Sequence, residues 1–355
     1  MIMNDRFNKR IKLTNDIVTR IAAIDEFKGR WRGTAEMSQK ILDRLRTSVI
    51  ITSTGSSTRI EGSNLSDDEV ARLLRGLKSK PPVGRDEEEV AGYADLLGRI
   101  FDHFADLPLS ENRTLQFHEI LLHFAQKDAL HKGAYKTTDN VVVMRGGDSE
   151  EIVLFRPTPP YLVKKEMGDA VAWFNERDAQ VDTHPLLVIA NFIFEFLAIH
   201  PFHDGNGRLS RALTNLLLLR AGYAYIPYVS LDEIIEERTT DYYLALRQTQ
   251  KRHKTDDEDV TPWVEFFLDA LLAQSTRAEK LLGEKHPEML LSPKQIVVYE
   301  LFADGSELSV REIHNRLHGS VAVPTIKKTL LRLVSHLLIM RLGQGRATRY
   351  KKTRP

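Results

Sequence analysis

Two strongly apolar runs, NFIFEFLAI at 191–199 and LSRALTNLLLL at 209–219, enclose the polar stretch HPFHDGNGR, and nothing else in the 355-residue chain restricts its fold as much. Runs this apolar at helical spacing are buried on most sides, so they demand a helix–loop–helix joint inside a larger helical body. Apolar residues also recur at helical spacing at Ile41, Leu45 and Val49, at Leu115, Ile120 and Phe124, and at Val171 and Phe174. The pattern predicts a mainly α protein. One interruption falls between Gly133 and Pro160, where β-branched runs at Asn140–Met144 and Ile152–Phe155 flank the turn signal Arg145-Gly146-Gly147-Asp148. That spacing predicts a β-hairpin, ended by Pro157-Thr158-Pro159-Pro160, with a new helix from about Val163.

Around Leu281–Lys294 the helical period lapses into LLGEKHPEMLLSPK, which predicts a linker at 281–291 after a helix ending near Arg277. Three short helical patterns follow, Ser292–Ala303, Ser309–Leu317 and Pro324–Leu338, and then MRLGQGRATRYKK, which alternates around two glycines as a small β-wing does. Helix, helix, helix, wing is the order of a winged helix-turn-helix domain, placed at 292–355. The rest divides into an N-terminal helical region, 1–110, and a core, 111–280.

Fifty Lys and Arg against 49 Asp and Glu leave a formal charge of +1, so no overall field favours nucleic acid or membrane. Any such binding has to be local. From Val321 to Pro355 there are nine basic residues and no acid. Lys327, Lys328 and Arg332 lie on the third helix and Arg341, Arg346, Arg349, Lys351 and Lys352 on or after the wing, an arrangement suited to the phosphates of DNA or, alternatively, to protein docking. The absence of cysteine excludes disulfides, thiolate metal sites and a Cys nucleophile. With no signal peptide and no stretch of about eighteen apolar residues, a soluble cytoplasmic protein without a membrane partner is expected.

The loop between the apolar runs concentrates chemistry. Pro201 disfavours helical geometry at His200, which should end the first helix and present an imidazole able to titrate near neutral pH. Gly205 and Gly207 let backbone N–H groups approach a ligand, and a helix starting near Arg208 points its positive end into the same loop. Arg208 and Arg211, three apart, share one helix face and can clamp phosphate oxygens. Asp204 offers a hard oxygen of the kind Mg²⁺ takes when shared with a polyphosphate.

HPFHDGNGRLSR resembles the signature of the Fic family, His-Pro-Phe-x-Asp/Glu-Gly-Asn-Gly-Arg-x-x-Arg, at every defined position. The resemblance, which covers roughly 30–275, implies a helical Fic fold and transfer of AMP from Mg·ATP to a protein Ser, Thr or Tyr hydroxyl, with self-modification included. It implies His200 as general base, Asp204 as the Mg²⁺ ligand and Phe202 as a core anchor. Gly205, Asn206, Gly207, Arg208, Leu209, Ser210 and Arg211 would make up the nucleotide site. It also implies that the hairpin at 141–155 is a flap that aligns the target's backbone. Lys136 departs from the pattern, since the family usually has Arg before the flap.

Ser57, Glu61 and Gly62 resemble the family's inhibitory motif, Ser/Thr-x-x-x-Glu-Gly/Asn, on a helical run from about Ser38 that Gly62 would stop. The implied mechanism is a salt bridge from Glu61 to Arg211 that withdraws the clamp on the terminal phosphate. The same carboxylate could instead orient water and remove AMP from a target. Thr240–Gln250 resembles the helix lining the adenine pocket, with Tyr242, Tyr243 and Gln250 as contacts. The acidic runs at 232–237 and 256–259 read as solvated faces or ends. Other donors (UMP, phosphocholine, phosphate), a metal hydrolase using His200, His203 and Asp204, and a nucleotide-sensing DNA-binding regulator are alternatives, and a homodimer stays open.

Overall fold

The computed structural model describes residues 2–33, 39–77, 79–126, 131–145, 151–180, 182–283, 293–302, 306–335, 338–343, 345 and 348–352. The chain forms two compact units, Met1–Met37 with Leu45–Glu279 and Ser38–Arg44 with Lys280–Pro355. In chain order the helices are α1 (Ile2–Lys9), α2 (Asn15–Gly33), α3 (Gln39–Ile60), α4 (Asp67–Gly76), α5 (Arg85–His103) and α6 (Glu111–Leu121). The antiparallel pair β1 (Val142–Arg145) and β2 (Glu151–Phe155) follows, with Val143 opposite Val153. Then come α7 (Pro160–Ala179), α8 (Pro185–Ile199), α9 (Asn206–Arg220), α10 (Leu231–Glu237), α11 (Thr239–Gln250) and α12 (Thr261–Gly283).

The first unit is built around α8, which packs against α7 and α9. The His184 side chain accepts the Leu186 N–H and Pro185 occupies the first turn, so the helix starts cleanly. Every residue after Pro185 is buried, including Phe192, Phe194 and Phe196 at 0 % exposure. Each fully buried side chain of that size stabilises the fold by roughly 1.5–3 kcal/mol, so this helix is the axis on which the neighbouring loop is fixed. Glu195 interrupts the run without breaking it. Arg10, itself 2 % exposed, reaches Glu195 at 2.5 Å and Asn191 at 2.6 Å, while Arg6 bridges Glu195 and Glu258.

Several boundaries differ from the sequence reading. Helix α7 begins at Pro160 rather than near Val163, because proline suits the first helical turn, where its missing N–H costs nothing. Helix α9 begins at Asn206, two residues before Arg208, since Gly205 takes a left-handed φ of 81° and serves as its N-cap. Helix α12 runs past Arg277 to Gly283, so the first residues of the expected linker are helical. The remaining linker residues, the hairpin turn at 146–150 and Arg346 lie outside the described residues. The acidic runs are not simply solvated: Asp232 is 0 % exposed and the Glu258 side chain 5 % exposed, each sequestered against arginine.

The second unit contains α13 (Pro293–Glu300), α14 (Val310–Arg316), α15 (Val323–Ser335) and an antiparallel pair, β3 (Ile339–Leu342) and β4 (Arg349–Lys352). Phe302, Ile313, Ile326, Leu330, Leu333 and Ile339 form its buried core. Ser309 and Glu312 make a capping box at the start of α14. On α15 Ile326, Leu330 and Leu333 are buried, while Lys327, Lys328, Leu331 and Arg332 are exposed. Two of the strand cations are held by acids, Arg349 by Glu312 at 3.2 Å and Lys351 by Glu307 at 2.8 Å.

Candidate active site

The loop joining α8 to α9 is held from beneath. His200 closes α8 in a left-handed conformation, φ 49°, its N–H still bonded to the Phe196 carbonyl at 2.9 Å. Phe202 then drops into the core at 0 % exposure and stacks on the His118 ring at 3.7 Å. The Gly133 N–H donates to His118 Nδ1 at 3.1 Å, so the ring proton sits on Nε2 and is donated to the Asp204 carbonyl, also at 3.1 Å. Burial pushes the His118 pKa down to about 4, which keeps that neutral tautomer. Asn206 brackets the turn by accepting the Phe202 N–H at 2.9 Å and donating to the Phe202 carbonyl at 2.8 Å.

The Asn206 amide is occupied by the loop's own backbone, Leu209 is buried in the core, and the Ser210 hydroxyl donates to the Gly207 carbonyl at 2.7 Å. The Gly205 N–H is likewise taken within the loop, by Asp204 at 2.7 Å, and its carbonyl accepts the Leu209 N–H at 2.8 Å. Although three apart, the arginines diverge. Arg208, 1 % exposed, lies 3.0 Å from Asp204 and 3.1 Å from Glu89. Arg211, 3 % exposed, donates Nε to the Ser57 hydroxyl at 2.7 Å and a terminal nitrogen to both the Ser57 carbonyl and Glu61, each at 2.8 Å.

The Glu61 carboxylate also lies over the glycine turn. A Cβ on Gly207 would come within 2.1 Å of Glu61 Oε1 and 3.3 Å of Arg211 Nη1, so only glycine leaves room for an acidic oxygen there. Arg211 Nη1 and Arg208 Nε are buried without a hydrogen-bond partner among the described residues, whereas Arg208 Nη1 is paired with Glu89 at 3.1 Å. A carboxylate thus rests at a helix N-terminus beside a buried guanidinium nitrogen without a hydrogen-bond partner, an arrangement chemically suited to an anion.

His200 was expected to titrate near neutrality, and it does not. Burial pushes its pKa down to about 4, the Lys136 ammonium adds to the effect, and Glu61, a hydrogen bond to the Leu197 backbone and Asp204 oppose it. The imidazole is therefore neutral and available as a proton acceptor at ordinary pH. Lys136, 3 % exposed, donates Nζ to Asn140 at 2.7 Å and to the Ile199 carbonyl at 3.4 Å, and burial brings its pKa down to about 8. At Asp204 burial alone would raise the pKa, but the Arg208 guanidinium and the Gly205 N–H outweigh it and hold the carboxyl below its usual range. The Asp204 side chain is 32 % exposed and lines an open cavity of about 750 Å³ with Arg85, Glu89, Leu122 and His203.

On α11 the two tyrosines part company. Tyr242 is buried against Trp263 and Phe266, while Tyr243 is 37 % exposed with its hydroxyl 3.4 Å from the Ile60 carbonyl, beside Glu61. Gln250 ends the same helix, about 10 Å further along it at 1.5 Å per residue. Among the described residues, the group of metal-type ligands within mutual reach is Glu195, His253 and Glu258, away from this loop and filled by Arg6 and Arg10. His200, His203 and Asp204 form no such group, so the metal-hydrolase alternative lacks its ligand set.

Residues 108–218 match the family described as Fic/DOC. The chain carries a Fic domain. Among curated relatives, the protein adenylyltransferase fic-1 of Caenorhabditis elegans is 29% identical over 216 residues, 58% of this chain and 37% of that protein. The protein adenylyltransferase Fic of Nematostella vectensis is 31% identical over 127 residues, 34% of this chain and 27% of that protein. The chain thus spans between about a quarter and little more than a third of the length of these relatives. Over nearly its whole length it is similar to the crystal structure of a Fic family protein from Desulfovibrio desulfuricans G20, with 26% identity, a TM-score of 0.65 and coverage of 96% of this chain and 97% of that one. Asp232, Glu89, His118 and Lys136 support the loop without lying in its motif. An acid inside the apolar-flanked run SLDEIIEE was the only sequence signal for Asp232.

Proposed function

We propose that the chain transfers AMP from ATP to a Ser, Thr or Tyr hydroxyl of a target protein, and that Glu61 holds the enzyme off. The observation that carries this reading is the Glu61 carboxylate lying on the Gly207 turn and bonded to Arg211 at 2.8 Å, where a terminal phosphate of ATP would otherwise be received. With Glu61 withdrawn, the Gly205 and Gly207 backbone, Arg208 and Arg211 take the phosphates. A ring nitrogen of His200 accepts the proton of the target hydroxyl as its oxygen bonds to the α-phosphorus. The bond from that phosphorus to the β-phosphate's bridging oxygen breaks, and pyrophosphate leaves.

Asp204 fits a Mg²⁺ bound with the nucleotide: it is the loop's one carboxylate, charged, part-exposed and facing open space. Bound there, the ion would neutralise phosphate charge. The two-stranded hairpin offers an edge strand for a target's backbone to pair with, and Tyr243 with Gln250 lies on the side of the latch where a base would rest. In the second unit, the exposed face of Lys327, Lys328 and Arg332 favours contact with duplex DNA, to be read as a salt-dependent mobility shift.

The test follows label from α-phosphate-labelled ATP into protein with the wild-type chain, Glu61→Gly, and Glu61→Gly combined with His200→Ala, alone and with host lysate. Glu61→Gly should raise incorporation on the order of 10- to 100-fold, and the His200 change should lower it again by about 10²–10⁴. Equal labelling by the wild-type and Glu61→Gly chains would remove the latch from the reading. Labelling that survives without His200 would remove the base.

A further inference from the structure

Arg211 faces two carboxylates, not one. Glu61 approaches from the loop side with its side chain 32 % exposed, whereas Asp232 lies behind the guanidinium, 3.6 Å from Nε and with its side chain 1 % exposed. Asp232 accepts the Tyr93 hydroxyl at 2.8 Å, and the Ser53 and Ser57 hydroxyls also favour its charge. Burial raises the pKa of this carboxyl above its ordinary value, and Arg211 is the largest influence opposing that rise. All the partners are buried: Tyr93, Ser53, Ser57 and Arg211 are each 3 % exposed or less.

A buried guanidinium left without a counterion is among the costliest states a fold can hold. If Glu61 were the sole partner of Arg211, opening the latch would strand a cation at 3 % exposure, and the latch would seldom open. Asp232 removes that penalty, because the pair it forms with Arg211 stays neutral when Glu61 departs. The same negative charge weakens the hold of Arg211 on any second anion, whether Glu61 or a phosphate. We propose that Asp232 is a positioning residue, a permanent counterion that keeps the Nε edge of Arg211 in place and makes its bond to Glu61 exchangeable for the terminal phosphate of a nucleoside triphosphate. This rests on the reading of Arg211 as the ligand of that phosphate.

The experiment compares ATP and ADP binding by calorimetry on the full chain carrying Glu61→Gly, then with Asp232→Asn or Arg211→Met added. Asp232→Asn is expected to raise the preference for ATP over ADP about threefold or more, since Arg211 then meets the extra phosphate with its charge uncompensated. General damage to the site would weaken both nucleotides together, so an unchanged or reduced preference overturns the proposal. If Arg211→Met leaves the preference as it was, the terminal-phosphate reading fails, a result separate from the Asp232 outcome. Melting temperatures of the same chains give a second measurement should Asp232→Asn fold poorly. Asp232→Asn should lower the melting temperature by several degrees, and adding Arg211→Met should recover part of that loss, because no buried cation is then stranded. Additive losses would show that the two groups are not counterions and would overturn the proposal.

Discussion

The loop from His200 to Arg208 and the helix end from Ser57 to Gly62 meet at one guanidinium, yet they are fastened in opposite ways. The loop is tied into the core by Phe202 at 0 % exposure, by its stack on His118 and by the Asn206 bracket. Removing a buried aromatic of this kind costs about 3–5 kcal/mol. The helix end reaches Arg211 through polar bonds from the Ser57 hydroxyl and carbonyl and the Glu61 carboxylate, and the Glu61 side chain is a third exposed. A part-exposed ion pair contributes about 1 kcal/mol or less once solvent screening is counted. The difference separates a permanent element from an exchangeable one: on the proposed function, a nucleotide would outcompete Glu61 without reshaping the turn.

The sharpest way to break this comparison is Phe202→Ala, expected to cost about 3–5 kcal/mol in denaturant unfolding and to abolish labelling even with Glu61→Gly present. A chain as stable as wild type would show that the loop is not held by the core. Next comes Ser57→Ala, which removes the hydroxyl that accepts Arg211 Nε at 2.7 Å in a buried setting. It should cost about 1–2 kcal/mol and raise AMP transfer by a few-fold, less than Glu61→Gly does. Transfer equal to that of Glu61→Gly would move the latch from the carboxylate to the serine. Glu61→Gly itself should change stability by no more than about 1 kcal/mol in either direction. A loss comparable with that of Phe202→Ala would make Glu61 a structural residue and dissolve the distinction.

Much of the permanent element was legible in the sequence because it depends on local rules. Apolar runs at helical period gave α8 and α9, and proline after His200 ended the first of them, whereas the spacing of Arg208 and Arg211 did not show that their guanidinium groups diverge to different partners. Boundaries slipped where proline and glycine open a helix instead of closing one, at Pro160 and Gly205. The supports of the site were not legible, because their partners are distant in sequence: His118 under Asp204, Glu89 beside Arg208, and Asp232 behind Arg211. Asp232 misled for a physical reason. An acid in an acidic run belongs at the surface unless a buried cation waits for it, and Arg211 lies 21 residues earlier on another helix.

The smallest effect predicted is nearly no effect at all, and it bears on the same contrast because burial in the permanent element sets the state of His200. The groups facing the ring are Lys136 from the segment before the flap, Glu61 from the latch and Asp204 from the loop. With a pKa of about 4 against an ordinary 6.5, the folded chain binds fewer protons than the unfolded one between those values, so stability is lost as pH falls from 6.5 toward 4 and is unaffected above 6.5. For transfer by Glu61→Gly, kcat/KM should stay level from pH 7.5 down to about pH 6, where a free imidazole would already have lost roughly three-quarters of its base form. Removing Glu61 takes away an influence that raises the pKa, so it cannot restore an ordinary limb. Lys136→Met takes away one that lowers it and should move the acid limb upward in pH. A limb near 6.5 in Glu61→Gly would mean that the ring is solvated during turnover, and that the loop opens as readily as the latch.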